Sequence, residues 1–122
     1  MATVVRWLVI VVLTAHGLIH LMGAAKGFGW AEMDTLKEPI GTSGAVMWLL
    51  AAALVLATAG MIVAGAPSWW WAVAAVAAVL SQTMVFSSWG DAKAGTIANV
   101  LLLAAAGYGL ASTRLATASA DG

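Results

Sequence analysis

The chain has 122 residues, 63% of them hydrophobic, with five basic and five acidic side chains, zero net charge and a mean hydropathy of +1.00. A water-soluble domain carries roughly a quarter charged residues, so that class is excluded, and a neutral chain offers no basic surface to nucleic-acid phosphates. The absence of cysteine removes disulfides, thiolate metal sites and thiol redox relays.

Crossing a hydrocarbon core of roughly 30 Å takes about twenty apolar residues, and four such stretches follow one another at 4–22, 45–64, 69–89 and 92–111. None shows the alternation of a barrel strand. The expected fold is all-α, a four-transmembrane-helix up-down-up-down bundle over 1–111 with a flexible tail over 112–122. A secretory signal peptide competes for the start, with Arg6 as its charged region. Against it, the apolar stretch continues through Leu18, Ile19, Leu21 and Met22 to spanning length.

The connections carry helix punctuation. The long polar loop, 24–42, holds five of the ten charges and a potential surface helix over 31–38 that Pro39 would stop. Gly65, Pro67 and Ser68 read as a helix end, a breaker and an N-cap, which makes the second and third helices antiparallel neighbours. Ser43 and Asp91 stand where they could cap the second and fourth helices. Tryptophans mark both interfaces, with Trp7, Trp69, Trp70 and Trp71 at the termini end and Trp30, Trp48 and Trp89 at the other, as an aromatic belt would be placed.

Polar residues collect on one side. In this topology the second half of helix one carries His16 and His20, the second half of helix three Gln82, and the first half of helix four Thr96 and Asn99. Lys26, Glu32, Asp34, Lys37, Glu38, Asp91 and Lys93, seven of the ten charges, lie in the loops above them. His16, Gln82 and Asn99 each fall roughly 10 Å inside that face at ~1.5 Å per residue, deep enough to share a pocket. The expected shape is a cup with a polar mouth and an apolar base. Unpaired polar groups at that depth cost several kcal/mol, so each must find a partner or serve a ligand.

His16 and His20, spaced i and i+4, lie on one helix face with Gly23 and Gly27. The spacing suits two ligands of one metal ion, but Gly17 occupies the position where an HExxH metalloprotease carries its general base. The alternative is hydrogen bonding of both rings to Gln82, Asn99 or backbone between helices. Asp91 reads as a helix cap or an acid, Lys93 as a headgroup-seeking cation, and Gln82, Thr96 and Asn99 as interhelical glue or pocket lining.

The strings HGLIHLMGAAKGFG and SQTMVFSSWGDAKAGTIAN resemble the HGxxHLxGxxKxFG and SQxxxFxxWxDAKxGTxxN elements of an uncharacterised four-helix bacterial integral membrane family. The ending of helix one is similar, more distantly, to DoxX-like proteins, some of them tied to quinone-linked redox chemistry. The resemblance implies a multi-pass protein of the bacterial cytoplasmic membrane, and marks His16, His20, Lys26, Gly27, Gln82, Asp91, Lys93, Gly95, Thr96 and Asn99 as pattern positions without catalytic roles.

Three functions are open on these grounds. The first is a binding or accessory membrane protein whose polar vestibule takes a small ligand, a quinone head or a lipid headgroup. The second is a membrane-embedded metal- or quinone-dependent oxidoreductase using His16 and His20. The third is an oligomeric small-solute transporter. The expected partners are the lipid bilayer and either a second copy of the chain or another membrane protein.

Overall fold

A computed structural model describes residues 1–34 and 36–121. It contains α1 (Thr3–Phe28), α2 (Thr42–Val63), α3 (Trp70–Ser87), the single turn α4 (Trp89–Ala92) and α5 (Gly95–Asp121). The four long helices have the length and hydropathy to cross a membrane, and the chain is a multi-pass integral membrane protein with an all-α bundle fold. Large apolar side chains such as Val11, Ile19, Val79, Ile97 and Val100 are exposed on the outside of the spans, where only hydrocarbon could cover them.

α1 and α5 run past their expected ends for identifiable reasons, while α3 falls short at both of its own. Nothing after Met22 breaks α1 until Gly29, whose φ of 74° and ψ of 19° form a left-handed cap. There the Trp30 N–H reaches back to Ala25 O at 2.9 Å, the closing bond of a glycine-ended helix. Residues 112–121, expected as a loose tail, continue α5 instead. That stretch contains no glycine or proline, and Thr113 Oγ1 donates to Ser68 O at 3.2 Å, tying the extension to the connection between α2 and α3. The serine caps are not used: Gly41 precedes α2 and Trp69 precedes α3, neither with a side-chain cap bond.

The surface helix expected over 31–38 is not formed at its described positions, where Leu36 N–H donates to Met33 O in an isolated turn. Thr35 lies outside the described residues. Lys26 Nζ donates to Leu36 O and Glu38 O and holds this stretch against the end of α1.

α1 packs chiefly on α2, α2 on α3, and α3 on α5, while α1 and α5 touch only sparingly. The core splits in two. Toward the termini, Leu13, Val55, Ile62, Ala74, Ala77, Ala78, Leu102 and neighbours form a continuous apolar cluster. Toward the long connection the apolar cluster shrinks to Ala24, Trp48 and Met84, and polar groups fill the rest. Trp48 and Trp70 are therefore core residues rather than parts of an interfacial belt, whereas Trp7, Trp30, Trp69 and Trp89 are exposed as a belt requires.

Candidate functional site

α1 extends to Phe28, so His16 lies roughly 18 Å from its C-terminal end at ~1.5 Å per residue, near the middle of the span. The site is built from α1, α3 and α5. His16 Nε2 stands 3.0 Å from Asn99 Oδ1 and 3.1 Å from Ser81 Oγ. Ser81 Oγ is 2.7 Å from His20 Nε2, and His20 Nδ1 is 3.0 Å from the His16 backbone oxygen. Beyond Asn99, Nδ2 donates to Gln82 Oε1 at 2.9 Å, and Gln82 Nε2 donates to Thr96 Oγ1 at 3.0 Å.

The direction of every proton in this chain follows from its one backbone member. The His16 carbonyl can only accept, so His20 Nδ1 carries the hydrogen. Among the described residues no carboxylate is buried, and an unpaired imidazolium at this depth would be costly, so each ring is neutral with a single N–H. His20 Nε2 is then a bare lone pair that takes the Ser81 hydrogen. Ser81 Oγ has no second hydrogen, so it accepts, and His16 Nε2 must be the donor to both Ser81 and Asn99. The Asn99 and Gln82 amides are oriented accordingly, and Thr96 accepts at the end.

One atom is left over. His16 Nδ1 has its lone pair but no hydrogen-bond partner among the described residues, although the residue as a whole is 5% exposed. It is not sealed in, since no fully enclosed side-chain nitrogen or oxygen lacks a partner. The ring edge bearing Nδ1 and Cε1 lies against Gly95, where an added Cβ would stand 3.2 Å from Cε1. Both residues line a cavity of about 460 Å³.

That cavity is apolar along most of its wall. Val11, Val12, Ala15, Ile19 and Gly23 of α1 face Ala94, Gly95 and Ala98 at the start of α5, with Trp48 and Val85 behind. Val11, Ile19 and Ala94 are also exposed on the outside of the bundle, so the cavity opens sideways between α1 and α5 toward hydrocarbon. The Trp48 ring sits edge-on to His20 with centroids 4.9 Å apart. A Cβ on Gly23 would come within 2.8 Å of Trp48 Cδ2, so a glycine here lets the indole reach the histidine.

On the water side the expected open mouth is covered. Leu36 and Ile40 of the long connection line the cavity, and the connection is strapped down from both flanks. Lys26 holds the carbonyls of Leu36 and Glu38, and the Asp91 carboxylate accepts the Glu38 N–H at 2.6 Å. Asp91 is thus a tie for the strap rather than a cap for α5. The Glu38 N–H, then that of Lys37, holds its carboxyl below the usual carboxylate range, with lesser help from the charges of Lys26 and Lys37.

Of the residues singled out from sequence, His16, His20 and Asp91 line the cavity, while Gln82, Thr96 and Asn99 stand behind His16 and orient it. Lys93 is exposed and joins neither. As metal ligands His16 and His20 acquire no third member: among the described residues no group of three His, Asp or Glu side chains gathers. Both Nε2 atoms converge on a serine hydroxyl instead. Ser81 and Trp48 are the functional residues sequence reasoning missed. Ser81 could have been found on the α3 stripe Ala74, Ala77, Ala78, Ser81, Val85, whose spacing is that of one buried face.

No family model matches the chain, and no curated protein or solved structure shows detectable similarity to it.

Proposed function

We propose that the protein is an intramembrane binding protein whose cavity takes a small amphipathic ligand from the bilayer, apolar body toward α1 and α5 and polar head toward His16. The supporting observation is the acceptor left open on the buried hydrogen-bond chain: His16 Nδ1, on a residue that lines a cavity of about 460 Å³. Ligand cavities of roughly 300–1,000 Å³ with apolar walls and few placed polar groups are the usual form of small-molecule sites. The strap of Leu36 and Ile40 shields the head from water, and the gap between α1 and α5 faces the lipid. In this reading the chain breaks no bond by itself, and its location is the bacterial cytoplasmic membrane suggested by the motif resemblance.

The test is lipid extraction and mass spectrometry of the purified full chain beside Ala15→Trp, which fills the cavity from an exposed wall position. The wild type is expected to retain one minor lipid near equimolar amount, and the variant to lose it. Identical lipid profiles from two well-folded proteins would refute a resident ligand.

A further inference from the structure

The polarity of the hydrogen-bond chain also limits which head the cavity accepts. We infer that the ligand is a neutral lipid with a hydroxyl head, a long-chain or isoprenoid alcohol, whose O–H donates to His16 Nδ1. This rests on the binding role proposed above and adds the chemical class of the ligand.

Three observations carry it. First, the open group is an acceptor. Reversing it would require His16 Nε2 to accept, placing a bare nitrogen lone pair 3.1 Å from Ser81 Oγ, whose only hydrogen is committed to His20 Nε2 at 2.7 Å. His20 cannot release that hydrogen, because its own N–H is held 3.0 Å from a backbone oxygen. A ketone, ester or ether oxygen, which can only accept, therefore finds no partner at His16, whereas a hydroxyl does.

Second, the cavity has no cation. Among the described residues its lining contains neither lysine nor arginine, and its one carboxylate, Asp91, would repel an anion. A fatty-acid carboxylate or a phosphate head would be buried without a counter-charge, which such surroundings strongly disfavour. Third, a cationic amine fares no better. Asp91 is already engaged by the Glu38 N–H and lies near Lys26 and Lys37, so an ammonium beside His16 would also be unpaired. Neutral and donating is the class that meets His16 Nδ1, with the Ser88 hydroxyl also on the cavity wall to donate to the same head oxygen, and the exposed apolar wall of Val11, Val12 and Ile19 suits one aliphatic chain.

The experiment places the full chain in lipid nanodiscs and photolabels it with a diazirine analogue of hexadecanol, competed by unlabelled hexadecanol, its methyl ether, palmitate and hexadecylammonium. Saturable labelling on α1 and α5 is expected, abolished by Ala15→Trp. The alcohol should compete about three- to tenfold better than the ether, the ratio one lost hydrogen bond supplies, and better still than either ion. Equal competition by alcohol and ether would overturn the donor requirement while leaving the binding role intact, and preference for palmitate or the ammonium would overturn the neutral head. Absence of saturable labelling, or labelling indifferent to Ala15→Trp, would overturn the binding role itself.

Discussion

The same helices meet in two different ways at the two ends of the bundle. Toward the termini they join through Ala74, Ala77, Ala78, Ala105 and Ala106 around Leu13, Val55 and Leu102. Thr58, the buried polar side chain there, bonds to Leu54 O of its own helix at 2.9 Å and asks nothing of its neighbours. Toward the long connection, three helices are joined by His16, Ser81, Gln82 and Asn99, each needing a partner from another helix. Small residues permit close approach but specify little, whereas a hydrogen-bond chain with one backbone anchor specifies both the register of the helices and the direction of every proton. The polar end leaves the His16 Nδ1 acceptor open toward its cavity.

The sharpest way to break this contrast is Asn99→Leu, which orphans the part-buried Gln82 Oε1 and leaves His16 Nε2 with Ser81 alone. An unmet acceptor together with a lost interhelical bond should cost roughly 2–4 kcal/mol of unfolding free energy, read by denaturation in bicelles. A cost under about 1 kcal/mol, the size of an average interhelical bond in a membrane, would show that the chain contributes no more than ordinary glue. Next in size is Ala77→Leu at the apolar end, where no exposed surface remains to receive the extra methyl groups. Overpacking there should cost about 1–3 kcal/mol, and a neutral result would mean that the termini half is loosely packed.

The smallest effect belongs to the strap. Asp91→Asn replaces a charge-assisted bond with a weaker neutral one, so global melting should be unchanged while the amides of Leu36, Lys37, Glu38 and Ile40 exchange faster with deuterium. Acid should reproduce the variant. Because the folded carboxyl sits below its ordinary value, its contribution is present at neutral pH and above the normal carboxylate pKa of about 4, and fades as pH falls through the lowered value. Strap exchange that ignores both acid and substitution would assign the hold on the connection to Lys26 alone.

The spans were legible from hydropathy because bilayer thickness sets their length, and the shared depth of His16, Gln82 and Asn99 was legible from topology alone. What remained hidden depended on individual contacts. Ser81 looked like an unremarkable serine in an alanine-rich helix until both imidazoles were seen to converge on its hydroxyl. Trp48 matched an interfacial belt by position, yet the bare backbone at Gly23 draws it inward. The vestibule was expected to face water, because charges crowd that end of the helices. Two of those charges, Lys26 and Asp91, instead pin the intervening backbone across it and leave the lipid side as the opening.

The hydrogen-bond chain also imposes an order on assembly. His16 belongs to α1, yet its two partners lie 65 and 83 residues further along. When α1 reaches the membrane, His20 can already close its bond to the carbonyl one turn back, but His16 must wait. Ser81 arrives with α3, Asn99 only with α5, and synthesis proceeds in that direction. The polar half of the bundle is therefore completed only when α5 docks, so a chain interrupted before α5 would leave the Gln82 amide without Asn99 and Thr96.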